Sequence, residues 1–213
     1  MQINTDFTRP VIVHGGQLDW VPSPAAGVER KMLYRDGAEV ARATSIVRYA
    51  PGSAFPEHVH SGGEEILVLS GTFQDEHGDY PAGSYFRNPP GTSHSPAAAE
   101  GCEIFVRLWQ FREGDTVQIA VPPESAEGVL FDDGFERVSI EDWQGRISRD
   151  NARGLELLVL SGRLRVEGAD LGAQGWLRLP AGHALVAEAE GARVWIKDAP
   201  LQHGDVLPLP GAA

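Results

Sequence analysis

The chain has 213 residues, room for one large domain or two small ones, and its 42% hydrophobic and 23% charged residues are ordinary globular values. With 18 basic against 30 acidic residues the formal charge is -12, which repels phosphate backbones and anionic membranes and argues against nucleic-acid binding. A lone cysteine, Cys102, excludes an internal disulfide framework and a Cys-rich zinc knuckle, and fits a small buried hydrophobe.

In chain order, Met1 to Asp6 has neither a basic stretch nor a following apolar core, and no run approaches the ~20 apolar residues that span a bilayer. The expectation is a cytoplasmic protein with no membrane partner. Strands are predicted at Ala43 to Tyr49, Glu65 to Ser70, Gly83 to Asn88 and Glu103 to Phe111, then at Leu155 to Leu160, Gly175 to Leu179 and Ala192 to Lys197. Nothing long reads as an amphipathic helix, and 25 glycines with 15 prolines suit many short strands joined by tight turns. The segment Val121-Pro122-Pro123-Glu124-Ser125-Ala126-Glu127-Gly128 divides the chain, because prolines and a glycine among polar residues oppose continued pairing.

The two halves repeat one another. Glu65-Ile66-Leu67-Val68-Leu69-Ser70-Gly71 returns ninety-one positions later as Glu156-Leu157-Leu158-Val159-Leu160-Ser161-Gly162. At that offset Arg87 meets Arg178, Pro89 meets Pro180 and Gly91 meets Gly182. An all-β chain of two copies follows, with 1–120 as the first domain and 121–213 as the second.

Chemistry concentrates between the first strands. His58 and His60 stand at i and i+2, so in an extended chain both face one way, and Glu64 keeps their parity. His94 returns behind the Pro89-Pro90-Gly91 corner, which can aim it at the first pair. Any one of these histidines alone is an ordinary surface residue; four donors, each tied to its own glycine or proline turn, read as a metal site. Three neutral imidazoles and a carboxylate suit Zn²⁺, Fe²⁺, Mn²⁺, Ni²⁺ or Cu²⁺ and disfavour Mg²⁺ and Ca²⁺.

These residues carry a family resemblance. Gly52 to Gly71 resembles the first cupin motif (glycine, five residues, His-x-His, three residues, Glu, six residues, glycine). Gly83 to His94 resembles the second (glycine, five residues, Pro-x-Gly, two residues, His), although Ala98 stands where an asparagine is frequent. More narrowly, Arg48 to Gly52, Gly63 to Leu69 and Asp75 to Gly83 resemble the ChrR-like cupins, whose name comes from an anti-sigma factor that responds to singlet oxygen.

The resemblance implies two tandem cupin barrels of the double-stranded β-helix or jelly-roll type. It implies one divalent ion on His58, His60, Glu64 and His94, with zinc the first expectation and Fe(II) or Mn(II) the alternatives. It implies a regulatory or sensing role in oxidant or small-molecule response. Some members resemble iron dioxygenases, so the second expectation is an iron-dependent oxygenase acting on a small enol or dicarbonyl compound. A metal-dependent isomerase or a sugar-binding module is a third. On six-coordinate iron the four donors leave two positions for substrate and O₂, whereas on four-coordinate zinc the set is complete. The His-x3-Cys-x2-Cys zinc domain that grips sigma factors in the family has no counterpart in this sequence, so a sigma-factor partner rests on the family name alone. A small-molecule ligand is the other expected partner, and both monomer and homodimer fit.

In the second copy the ligand positions fall on Arg149, Asn151, Leu155 and Leu185, a set unable to hold a metal. Glu65, whose copy Glu156 persists, reads as structural. Arg87, Arg107, Tyr85 and Trp109 flank the motifs and are candidates to line the pocket. His14, His77, His183 and His203 read as solvated, and the Ser93-His94 adjacency lacks the third group that nucleophilic catalysis requires.

Overall fold

In a computed structural model, the structure describes residues 1–38, 40–201 and 206–210. Their regular structure is almost entirely β-strand, with two short 3-10 turns at Gly15–Gln17 and Pro123–Ser125. No helix among the described residues is long and apolar enough to cross a membrane.

The chain separates into two units. The first holds Met1–Thr5, Asp19–Ala126 and, of the C-terminal segment, 206–210, and the second holds Asp6–Leu18 and 127–201. The break at Ala126 lies inside the proline-containing divider. Assignment of Asp6–Leu18 to the second unit differs from an N-terminal domain of 1–120. The cause is local: Val11–His14 forms an antiparallel ladder with Gly175–Arg178, an edge otherwise left unpaired.

In the first unit the main sheet runs, strand beside strand, Gln2–Ile3, Val28–Gly37, Ala41–Tyr49, Cys102–Leu108, Glu64–Asp75, Tyr85–Asn88 and Ile119–Val121. A separate two-stranded ladder joins His58–Val59 to Ser93–His94. Alternation decides what each strand contributes. Ile66, Val68, Phe86, Ile104 and Val106 belong to one buried cluster together with Phe73, Ala98 and Cys102. Cys102 is thus the buried hydrophobe expected, and burial pushes its thiol up to about 12.

The second unit orders Gly128–Asp132, Arg137–Arg149, Leu185–Asp198, Leu155–Val166, Gly175–Leu179 and Val11–His14. The repeat survives in three dimensions. Arg87 pairs with Glu65, and Arg178 pairs with Glu156 in the same register. Gly71 and Gly162 take φ of +69° and +73°, and an added Cβ would stand 2.2 Å and 2.1 Å from the carbonyl oxygens of Gly101 and Gly191. Only glycine meets both demands.

Candidate metal centre

Local hydrogen bonding builds the site. His58 and His94 are directly opposed in their two-stranded ladder. The next ligand position is held by its backbone: the His60 amide donates to the Thr92 carbonyl at 2.8 Å, and the Gly91 amide donates to the His60 carbonyl at 3.0 Å. Gly62 and Gly63 then turn the chain into Glu64. A Cβ on Gly62 would stand 2.0 Å from the Trp109 ring and one on Gly63, at φ +76°, 2.3 Å from the Phe111 ring. The glycine pair therefore lets the His-x-His segment lie against two aromatic rings while Glu64 enters the sheet.

The three imidazoles converge edge to face, with ring centroids 5.2 Å apart for His58 and His60, 5.0 Å for His58 and His94, and 4.5 Å for His60 and His94. One ring nitrogen of each lies within 4.8 Å of the others, the single such group found among the described residues. Glu64 Oε2 stands 3.3 Å from His60 Nε2 and 3.5 Å from His94 Nε2. Two donors bound at ~2.1 Å to one ion are about 3.0 Å apart at a right angle and about 3.4 Å apart at the tetrahedral angle, so these separations fit donors that share an ion.

The hydrogen-bond network fixes which nitrogens face inward. Thr92 Oγ1 donates to the Pro89 carbonyl at 2.8 Å, so its lone pair is what meets His60 Nδ1 at 2.9 Å. The His60 proton therefore sits on Nδ1 and the Nε2 lone pair points to the centre. His94 Nδ1 faces the buried Asp75 carboxylate at 3.3 Å, which draws its proton to Nδ1 in the same way. His60 Nε2 and Glu64 Oε2 are both buried with no hydrogen-bond partner. Orphaned buried polar atoms are costly unless something else meets them, and an ion between them would do so.

Charge points the same way. Burial, then the neighbouring His94 and His58, push His60 down to about 3, so it stays a neutral donor. Burial and then His58 lower His94 as well, against the opposing pull of Asp75. Glu64 is pushed up to about 7 by burial and, more weakly, by the charge on Asp75, while its hydrogen bond with Asn88 works against the shift. Gln118 Nε2 donates to Asn88 Oδ1 at 3.3 Å and so turns the Asn88 amide toward the carboxylate. The site is a buried acid beside neutral imidazoles, an arrangement that a cation would relieve.

A cavity of about 440 Å³ in the first unit adjoins this cluster. Val28, Val47, Tyr49, Phe55, Ile104, Val106 and Leu108 give it an apolar wall, and His58 and Glu64 reach it from the metal cluster.

Other candidates fall elsewhere. Glu65 accepts from Tyr85 Oη at 2.6 Å and Arg107 Nη1 at 2.6 Å, and Arg87 pairs with Asp115 at 2.7 Å. Tyr85, Arg87 and Arg107 thus build a buried polar layer on the sheet face away from the cavity, and the Trp109 ring lies against Gly62. His183 bonds Glu167 at 2.9 Å, His14 and His77 are exposed, and His203 lies outside the described residues. Ser93 Oγ donates to Glu57 rather than to a histidine. Sequence reasoning missed Asp75, Asn88 and Thr92; a polar residue two positions before His94 in a corner was a usable signal for Thr92, whereas Asp75 and Asn88 needed the strand register.

In the second unit four of the corresponding positions are apolar, and the positions of His58 and His60 carry Arg149 and Asn151. The counterparts of Glu64, Asp75, Asn88 and His94 are Leu155, Val166, Leu179 and Leu185, all within its main buried cluster. Asn151, at the His60 position, donates to the Pro180 and His183 carbonyls and accepts from the Gly154 amide.

Residues 8–112 match the family described as the ChrR cupin-like domain. No curated protein sequence matches the chain. Among solved structures, a candidate dioxygenase from Nostoc punctiforme is similar at 15% identity and TM-score 0.72, over 94% of this chain and 86% of that one. Ylba from Escherichia coli is similar at 14% identity and TM-score 0.71, over 93% of both chains. The bacterial pirin YhhW from E. coli, in complex with nickel(II), is similar at 14% identity and TM-score 0.69, over 90% of this chain and 99% of that one.

Proposed function

Through residues 8–112 the chain belongs to the ChrR cupin-like domains, and from that premise we propose a metal-dependent small-molecule site, held by one of two tandem cupin barrels and serving a regulatory or sensing role. His58, His60, Glu64 and His94 hold one divalent ion, with zinc the leading choice. The observation that carries this reading is the pair of buried, unpartnered atoms, His60 Nε2 and Glu64 Oε2, facing each other 3.3 Å apart beside His94 Nε2.

The roles of the residues follow from their partners. Thr92 and Asp75 hold the two imidazoles in the tautomer that directs Nε2 inward, Asn88 orients Glu64, and exposed His58 faces the cavity where a ligand would arrive. The ion supplies Lewis acidity toward an oxygen donor on that ligand. The apolar wall excludes water and selects an organic molecule over a simple ion. The second barrel, without donors, serves as scaffold.

The cavity also favours a second reading, an iron-dependent oxygenase of a small enol or dicarbonyl compound, since a purely structural ion needs no adjoining pocket. Metal analysis of protein purified without added metal, with O₂ uptake measured on a panel of enolisable dicarbonyl compounds, decides between them. One equivalent of zinc with no uptake supports the sensing role; iron with substrate-dependent uptake supports the oxygenase. Less than a tenth of an equivalent of any transition metal, after incubation with each, would sink both.

A further inference from the structure

The cavity carries charge that the metal site does not use. Strand Val28–Gly37 contributes Arg30 and Arg35 to its lining. Val28 and Arg30 face inward by alternation. Beyond them Met32 pairs with Ser45 and Tyr34 with Thr44, so a bulge at Leu33 resets the alternation and turns Arg35 in as well. Arg35 pairs with Ala43, Ala43 with Leu108 and Leu108 with Glu64, one row across the sheet. Three interstrand steps of ~4.8 Å place the start and end of that row roughly 14 Å apart along the sheet, before the two side chains reach inward.

The two guanidinium groups differ in how they are held. Arg35 donates to the Ala38 carbonyl, and burial first, then the charge of Arg30, lowers its pKa. The Arg30 side chain makes no hydrogen bond or ion pair with any described residue, and its Nε is buried without a partner. The acids lining the cavity are placed elsewhere: Glu64 lies in the metal cluster, and exposed Glu57 accepts from Ser93 at 2.8 Å. In a chain with a formal charge of -12, two like-charged side chains against an apolar wall, one of them unpaired, form a built anion site.

We propose that Arg30, supported by Arg35, is the carboxylate-binding end of this cavity, and that its natural ligand is a small, largely apolar monocarboxylic acid whose other end reaches the metal cluster. The far end of the ligand rests on the metal reading; the carboxylate subsite does not. A single negative charge is favoured because a second would face Glu57 and Glu64.

The test uses 4-phenylbutyrate and its uncharged amide as probes, titrated calorimetrically into the full chain with its metal content measured on the same sample. The acid is expected to bind at least tenfold tighter than the amide. Arg30→Met removes that preference and leaves the amide unchanged, and Arg30→Lys, which keeps the charge, restores part of it. The His94→Ala protein, depleted of metal, still prefers the acid, so failure of the metal reading and failure of the subsite appear as different results. Equal affinity for acid and amide, binding of neither, or a preference that survives Arg30→Met overturns the proposal. So does a preference lost in His94→Ala with Arg30 intact, which would assign the acid to the ion.

Discussion

At His60 a single hydrogen bond selects the chemistry, because the Thr92 hydroxyl is already committed to the Pro89 carbonyl and leaves the imidazole only one tautomer. Thr92→Val and Asp75→Asn should therefore keep the fold yet weaken metal affinity by roughly 10–100-fold, measured by competition with a chelator of known strength. His94→Ala should bind less than about a tenth of an equivalent and melt at lower temperature, whereas His183→Ala, altering only a surface contact with Glu167, should change neither. At this scale the sequence displays His58, His60, Glu64 and His94 because each is tied to a turn. It hides Asp75 and Asn88, since their role depends on which residue of a neighbouring strand lies opposite. It also leaves Arg87, Arg107 and Tyr85 ambiguous, because parity relative to the cavity is set by register and not by composition.

Among the elements, the glycine pair before Glu64 is the most exposed to test. Gly63→Ala meets both a left-handed backbone and the Phe111 ring, and should cost about 1–3 kcal/mol in chemical denaturation while displacing Glu64 and lowering metal content. In the second unit, the strand Arg137–Arg149 carries Glu141, whose carboxylate is half-buried. Burial opposes its charge, but hydrogen bonds from Ser139, Trp143 and Arg149 win and hold its pKa below the usual carboxylate range. A depressed folded pKa means the contribution is present above the unfolded value, near ~4.3, and is lost as pH falls through the folded one. Glu141→Gln should thus lower the melting temperature at pH 7, with the gap to wild type closing below about pH 4. Neither Arg137–Arg149 nor Val28–Gly37 was foreseen as a strand. Both are rich in charged residues, and their period-two pattern is broken by a register shift before Gly145 and by the bulge at Leu33.

For the molecule as a whole, the duplication predicts stoichiometry. One ion per chain, not two, should bind in a metal titration, because Leu155, Val166, Leu179 and Leu185 replace both the donors and the residues that orient them. A second equivalent bound with comparable affinity would contradict that assignment. The all-β class and the repeat were legible in the sequence, since the Glu-Ile-Leu-Val-Leu-Ser-Gly run keeps its register and its glycine geometry in both units. The destination of Asp6–Leu18 was not, because nothing in Val11-Ile12-Val13-His14 names a partner so distant in the chain.

That short ladder has a bearing on biosynthesis. Val13 leaves the ribosome well before its neighbour Trp176, so this edge of the second unit closes only after the whole intervening chain has been made. A truncation that starts at the divider would therefore yield a fragment with an uncovered strand flank, prone to self-association, and a genetic fusion returning the first eighteen residues to it should restore a well-behaved species.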